Sequence, residues 1–413
     1  MSAKPSIASL SCVVFVWSVS SGVFGCVGSG TAALDAGVGL DAGVAIDDAS
    51  ARDAVTADAG AADVGLDDSG ATQADADAGR AEDAGAAADA SASADLGVDA
   101  GAACPPPPRC DPTPPAVGPT EPFRRTISRV TTLGNPRHRG RDLYLRPGQP
   151  AWAMAKIAYG VNDDDLQGED VEVFLRTGCT GPWSLVARVT TTNDGDHPTV
   201  LGVEDTGGRV YLALPTLPVG RHLLFFSVVG DRSSTEAAIE VLPDGARVVV
   251  TDIDGTLTSS EWAAVTDVIG LAPPEAHPGA AELMTAFVAR GYHVLYLTAR
   301  PEWMGAVTRA WLPLRGFPPG VLHTTLRFTG AVGSSAANYK RDELSAFAAE
   351  LARTPAYAFG NKASDAEAYA NAGIAPANSF YFDLDAAEAR GGVVHADYRA
   401  LAPVAAGAPP GCR

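Results

Sequence analysis

The chain has 413 residues and a formal net charge of -19. That length holds two domains, and that charge argues against nucleic acid as a partner. The acidity is concentrated: residues 31–103 carry fifteen Asp and one Glu against Arg52 and Arg80, a net of -14, so the remainder is only mildly acidic.

At the amino terminus, Lys4 precedes an apolar stretch from Ile7 to about Val19, followed by small residues and Cys26. This pattern predicts a secretory signal peptide over residues 1–25, too short for a convincing membrane span. Val23-Phe24-Gly25-Cys26 is similar to a bacterial lipobox. The similarity implies export to a bacterial cell envelope with lipidation at Cys26, or secretion if the peptide is removed without lipid.

Residues 26–122 read as a tether. Its first part is Ala, Asp, Gly, Ser and Val, with Asp-Ala-Gly recurring at Asp35, Asp41, Asp58, Asp77, Asp83 and Asp99. Such a segment cannot bury enough apolar surface to offset its ordering entropy. The irregular spacing of the Asp residues lacks the ligand periodicity of a calcium loop. A Pro-rich run follows to about Pro122. Apart from Cys12 and Cys26, the cysteines are Cys104, Cys110, Cys179 and Cys412, and in an exported protein they allow two disulfides in three connectivities.

Residues 123–243 change character. Short β-branched and aromatic runs (Ala151–Tyr159, Val171–Leu175, Trp183–Thr190, Arg209–Leu214, His222–Val229, Ala237–Leu242) alternate with turn signals such as Asn193-Asp194-Gly195. This spacing predicts an all-β, immunoglobulin-like sandwich. Residues 244–413 then alternate strands and helices, which predicts an α/β domain with a Rossmann-like parallel sheet, its ligand crevice beyond the carboxyl ends of the strands. Helices are expected over 278–290, over 301–312 with Pro313 as the stop, over 339–353 and over 365–371, with strands at 293–297, 356–359 and 380–382.

The chemistry concentrates in Val248-Val249-Val250-Thr251-Asp252-Ile253-Asp254-Gly255-Thr256. A buried strand ending at Thr251 places two carboxylates at the sheet edge, and Gly255 lets the chain turn away. Carboxylates held together call for a cation, a shared proton, or both. With a divalent metal, one can attack phosphorus while the other handles the leaving-group proton. This stretch resembles motif I of the haloacid dehalogenase superfamily. Leu297-Thr298-Ala299-Arg300, Tyr339-Lys340-Arg341 and Phe359-Gly360-Asn361 through Asp365 resemble its motifs II, III and IV, in order. The wording is most similar to the lipin family of Mg²⁺-dependent phosphatidate phosphatases. The same module also occurs in phosphatidylinositol-transfer-protein relatives, some of which lack the motif I carboxylates.

The resemblance implies an enzyme, a phosphoric monoester hydrolase with Asp252 as nucleophile and Asp254 as general acid and base. Thr298 and Lys340 complete the catalytic set. Gly255, Thr256 and Arg300 would contact substrate, and Mg²⁺ would sit on Asp252, Asp254 (through its carbonyl) and Asp365, with Asn361 in support. The gaps of about 35 residues from Thr256 to Tyr292 and about 38 from Arg300 to Tyr339 leave no room for a separate cap domain. An open site suits a phosphate on a large surface, here a phospholipid at a membrane. The competing expectation is a non-catalytic module that binds phosphatidate at the cell envelope.

Overall fold

The computed structural model describes residues 110–111, 113–259 and 273–412. The signal peptide, Cys26, most of the tether, Cys104, and Glu261 and Trp262 beside motif I lie outside the described residues. Among the described residues no helix is long and apolar enough to cross a membrane.

The first half is built on two sheets. After a single helical turn, α1 (Ser128–Thr131), come β1 (Arg139–Gly140), β2 (Leu143–Leu145), β3 (Ala151–Lys156), β4 (Ala158–Tyr159), β5 (Asp164–Asp165), β6 (Asp170–Arg176), β7 (Trp183–Thr190), β8 (Arg209–Leu214), β9 (Gly220–Val228) and β10 (Ser234–Val241). Strands β1-β3-β8 form one sheet and β2-β10-β9-β6-β7 the other, while β4 and β5 pair with each other. The two larger sheets share one core, with Met154 and Val210 from the first meeting Val173, Leu224, Phe226 and Ile239 from the second. Ala151–Tyr159 is two strands, because at Ile157 the chain turns its hydrogen bonds to Gly208 and Leu166. Cys110 is joined to Cys179 in the β6–β7 connection, and Cys412 is also disulfide-bonded.

The second half carries β11 (Val248–Thr251), α2 (Ala280–Ala289), β12 (His293–Leu297), α3 (Gly305–Leu314), β13 (Val321–His323), α4 (Gly333–Leu351), β14 (Tyr357–Gly360), α5 (Ala363–Asn371), β15 (Ser379–Phe382), β16 (Val393–His395) and α6 (Ala402–Gly407). Its six strands are all parallel, in the order β13-β12-β11-β14-β15-β16. Side chains alternate as the pleat requires. Val249, Val294 and Tyr296 face α2, α3 and α6, while Val248, Val250, Leu295 and Leu297 face α4 and α5. Helices therefore cover both faces. Chain order reverses between β11 and β14, and a doubly wound sheet opens its ligand crevice beyond the carboxyl ends of the strands at such a point.

Two helices differ from expectation. Pro313 lies inside the last turn of α3, where a missing N–H costs a single hydrogen bond, so the helix runs on to Leu314. Helix α4 begins at Gly333, six residues earlier than its apolar periodicity suggests.

The halves are joined by buried polar contacts. Asp142 is fully buried. Its Oδ1 accepts from Ala238 N (2.7 Å) and Arg309 Nη2 (2.8 Å), and its Oδ2 from Leu322 N (2.9 Å) and Arg309 Nη1 (2.8 Å). The Tyr144 hydroxyl donates to Val294 O at 2.8 Å, and Arg141 donates to both oxygens of Glu343.

Candidate active site

The site forms where β11, β12 and β14 end side by side. Pairing continues one residue beyond two of these strands, with Asp252 N donating to Phe359 O (2.9 Å) and Thr298 N to His323 O (3.0 Å). Both side chains are thereby fixed at the sheet edge. Gly255 has φ +76°, the left-handed conformation that turns the chain away after the second carboxylate. At Gly360 a Cβ would come within 2.5 Å of the Asp365 Cβ, so only glycine lets the start of α5 fold back against β14.

Asp252, Lys340 and Asp365 are buried together. Lys340 Nζ donates to Asp252 Oδ1 at 2.6 Å and to Asp365 Oδ1 at 2.5 Å. The other Asp365 oxygen accepts from Asn361 N and Lys362 N, both at 3.0 Å, which ties it to the first turn of α5. Thr256 Oγ1 lies 3.0 Å from both Asp252 Oδ2 and Asn361 Oδ1. A hydroxyl carries one proton, so both contacts are satisfied together when the Asn361 amide is turned to donate. Burial pushes the Asp252 carboxyl up, to about 6, with Lys340 opposing the rise and Asp365 and Asp254 adding to it. Burial alone would lower the Lys340 ammonium, but the two carboxylates outweigh it and hold it above its usual value.

Asp254 faces a different set of partners. Arg300 donates from Nε to Oδ1 (3.1 Å) and Oδ2 (2.9 Å) and from Nη2 to Oδ1 (2.8 Å), and Thr298 Oγ1 donates to Oδ2 at 3.0 Å. Arg300 Nη1 goes to Thr308 Oγ1 at 2.9 Å, on α3. Arg300, expected at the substrate, is thus clamped on Asp254 in this structure. Thr298 likewise spends its hydroxyl proton on Asp254.

Among the described residues no three side chains of His, Cys, Asp or Glu are grouped to hold a metal ion. Two of the expected ligands, Asp252 and Asp365, do converge on one point, and that point holds an ammonium. The Asp254 carboxylate is turned to Arg300, so its contribution would have to come from the carbonyl. Two carboxylates against one ammonium leave a net negative charge in a buried place, and hard oxygen donors with an unbalanced charge suit Mg²⁺.

Two supports had no signal in the sequence. The Tyr398 hydroxyl, just before α6, donates to Thr256 O at 2.6 Å. His277 Nε2 lies 3.2 Å from Gly255 O, and its ring lies against Phe382 with centroids 3.9 Å apart. Both hold the turn after Asp254, His277 from 22 residues along the chain and Tyr398 from 142.

Residues 249–383 match the family described as PITM 1-3, LNS2 domain. The chain is similar to the membrane-associated phosphatidylinositol transfer protein 2 of Homo sapiens, 30% identical over 190 residues, 45% of this chain and 13% of that protein. It is also similar to the membrane-associated phosphatidylinositol transfer protein 3 of Mus musculus, 27% identical over 221 residues, 51% of this chain and 20% of that protein. Protein retinal degeneration B of Drosophila melanogaster is 26% identical over 190 residues, 45% of this chain and 14% of that protein. The chain thus spans a fifth or less of the length of these relatives. Of solved structures, a superoxide reductase from Ignicoccus hospitalis overlaps 29% of this chain and 89% of that one at 14% identity, with a TM-score of 0.18, a likeness too slight to bear on fold or function.

Proposed function

We propose that this protein is a Mg²⁺-dependent phosphatase that hydrolyses phosphatidate or a related lipid phosphate monoester through an aspartyl-phosphate. Its catalytic core would be of the haloacid dehalogenase type, beside an immunoglobulin-like domain. One observation carries the reading: a buried carboxylate, Asp252, at the point where strand order reverses, 2.6 Å from an ammonium that it shares with Asp365. A lipid is favoured because the matched relatives are named for phosphatidylinositol transfer.

In this reading an Asp252 oxygen attacks phosphorus as the ester P–O bond breaks. Asp254, in its protonated form, gives its proton to the leaving alcohol oxygen. Asp254, now a carboxylate, takes a proton from water, whose oxygen attacks phosphorus and releases Asp252 and phosphate. Lys340 keeps the nucleophile in place and offsets charge on the phosphoryl group. Arg300 and Thr298 aim the Asp254 carboxyl. Mg²⁺, held by Asp252, Asp365 and the Asp254 carbonyl, would supply positive charge to the phosphoryl oxygens.

A second reading has its own support. The relatives carry the name of transfer proteins, so the module would bind phosphatidate without turnover. Phosphate release from phosphatidate in mixed micelles and from glycerol 3-phosphate, each with Mg²⁺ and with chelator, separates the two. The expected result is Mg²⁺-dependent release with higher kcat/KM on phosphatidate. No release from either ester favours the binding module, and a clear preference for glycerol 3-phosphate removes the lipid assignment alone.

A further inference from the structure

A cleft of about 800 Å³ lies between the two halves of the protein, along the flank of α4. Its lining runs from Ser334 to Leu351, which at 1.5 Å per helical residue is roughly 25 Å. Leu143, Tyr144, Leu201, Leu326, Phe347 and Leu351 supply apolar surface. Three charged or titratable groups in the wall, Arg141, Glu343 and His323, are turned on one another: Arg141 Nη2 donates to Glu343 at 2.8 and 2.9 Å, and His323 Nδ1 lies 2.7 Å from Glu343 Oε2. The Tyr339 hydroxyl is different. Tyr339 lines the cleft, and its buried oxygen faces the Arg141 guanidinium without a well-formed hydrogen bond to it. Arg141 offers only donors, so the Tyr339 O–H is left without an acceptor, and a buried donor left so costs about 1–3 kcal/mol that an acceptor on a ligand would offset.

The cleft is joined to the catalytic loop. Thr325 donates from N and Oγ1 to Arg300 O (3.0 and 3.1 Å), and Ala331 N donates to Ala299 O (3.0 Å). Both residues line the cleft. Tyr339 immediately precedes Lys340, whose ammonium holds Asp252.

We propose that this cleft is an acyl-chain site: one hydrocarbon chain of a glycerolipid lies along α4, with an ester oxygen at the Tyr339 hydroxyl. One chain occupies half of a bilayer's hydrocarbon core, about 15 Å, and the cleft is longer than that. The identity of the head group rests on the phosphatase reading; the chain site does not.

The test is equilibrium binding of a long-chain fluorescent fatty acid to the full chain. Ala346 lines the cleft and is exposed, so Ala346→Trp fills it without disturbing a core. The wild type is expected to bind one chain saturably, and Ala346→Trp to bind at least ten-fold more weakly. Ala349→Trp, exposed on the same helix but outside the cleft, and Asp252→Asn should both bind as the wild type does. Tyr339→Phe should weaken a monoacylglycerol several-fold and leave the fatty acid unaffected. Equal binding by wild type and Ala346→Trp, or equal loss in Ala349→Trp, overturns the proposal. Binding that Ala346→Trp abolishes in a protein that releases no phosphate upholds the chain site and overturns the phosphatase.

Discussion

Arg300 and Glu302 are two residues apart and reach opposite ways: Arg300 clamps Asp254, beside the buried cluster of Asp252, Asp365 and Lys340, and Glu302 belongs to a second buried charge cluster. Glu302 faces the β half: it accepts from Arg209 Nη1 and Nη2 (both 3.0 Å) and from Arg139 Nη2 (3.3 Å), and Arg139 is also paired with Asp163. Two guanidiniums meet two carboxylates, so the charges balance. Burial would raise the Glu302 carboxyl, but Arg139 and Arg209 more than offset it and hold it below its usual range. The other cluster, Asp252, Asp365 and Lys340, is as well buried but has one negative charge too many. The balanced cluster carries no net charge and serves as a joint. The unbalanced one keeps a net negative charge that a further cation would offset.

Substitutions should act oppositely on the two. The largest effect is expected from Asp252→Asn: phosphate release falls by about 10⁴-fold or more, while the thermal midpoint in chelator holds or rises, because the amide leaves Lys340 with one carboxylate. Loss of both activity and stability would put Asp252 in the class of structural charges. Asp254→Asn should lower kcat by about 10²–10⁴-fold, the usual worth of acid-base help, with substrate binding kept. Steady-state kinetics showing a raised KM and unchanged kcat would contradict that role.

Glu302→Gln should cost about 3–5 kcal/mol of folding stability, the usual loss when one partner leaves a buried pair. Urea unfolding measures it, and a loss below 1 kcal/mol would show the joint to be dispensable. The smallest effect is set by pH at His138, in the β half. Burial holds this imidazole down to about 4, with Asp231 and Asp163 acting against the shift and Arg139 with it. Ala158 N donates to Nδ1, so the neutral ring donates from Nε2 to Ser233 Oγ at 2.8 Å. The unfolded chain binds the proton more tightly, so this contribution is whole above pH 6.5 and is lost as pH falls toward 4. At ~1.4 kcal/mol per pH unit the loss approaches about 3 kcal/mol. His138→Gln should flatten that part of the pH dependence of urea midpoints, and an unchanged slope would assign it to other groups.

Much of the second half was legible because its strands are fully apolar and end in polar signatures. Val248–Thr251 and His293–Leu297 coincide with β11 and β12. β13 and β16 escaped notice because three residues, such as Val321-Leu322-His323, are too few to show a period. β1 and β2 were missed for another reason. Arg139, Arg141 and Asp142 interrupt any apolar alternation there, and their partners Glu302, Glu343 and Arg309 lie more than 150 residues away. The site residues were legible by type but not by partner: nothing local shows that Arg300 would spend its donors on Asp254 and Thr308.

The fully buried Asp142 has a consequence for how this protein comes apart. Its four acceptor contacts bind β10 of one half to α3 and β13 of the other. Opening the seam would strand a carboxylate, an arginine and the Leu322 amide at once. Small openings there gain little conformational freedom and lose several bonds, so the seam has no cheap partial state. The two halves should therefore melt in one calorimetric transition. A cut in the chain near residue 243, where the change in composition invites it, should yield fragments that fold poorly alone and regain structure when mixed.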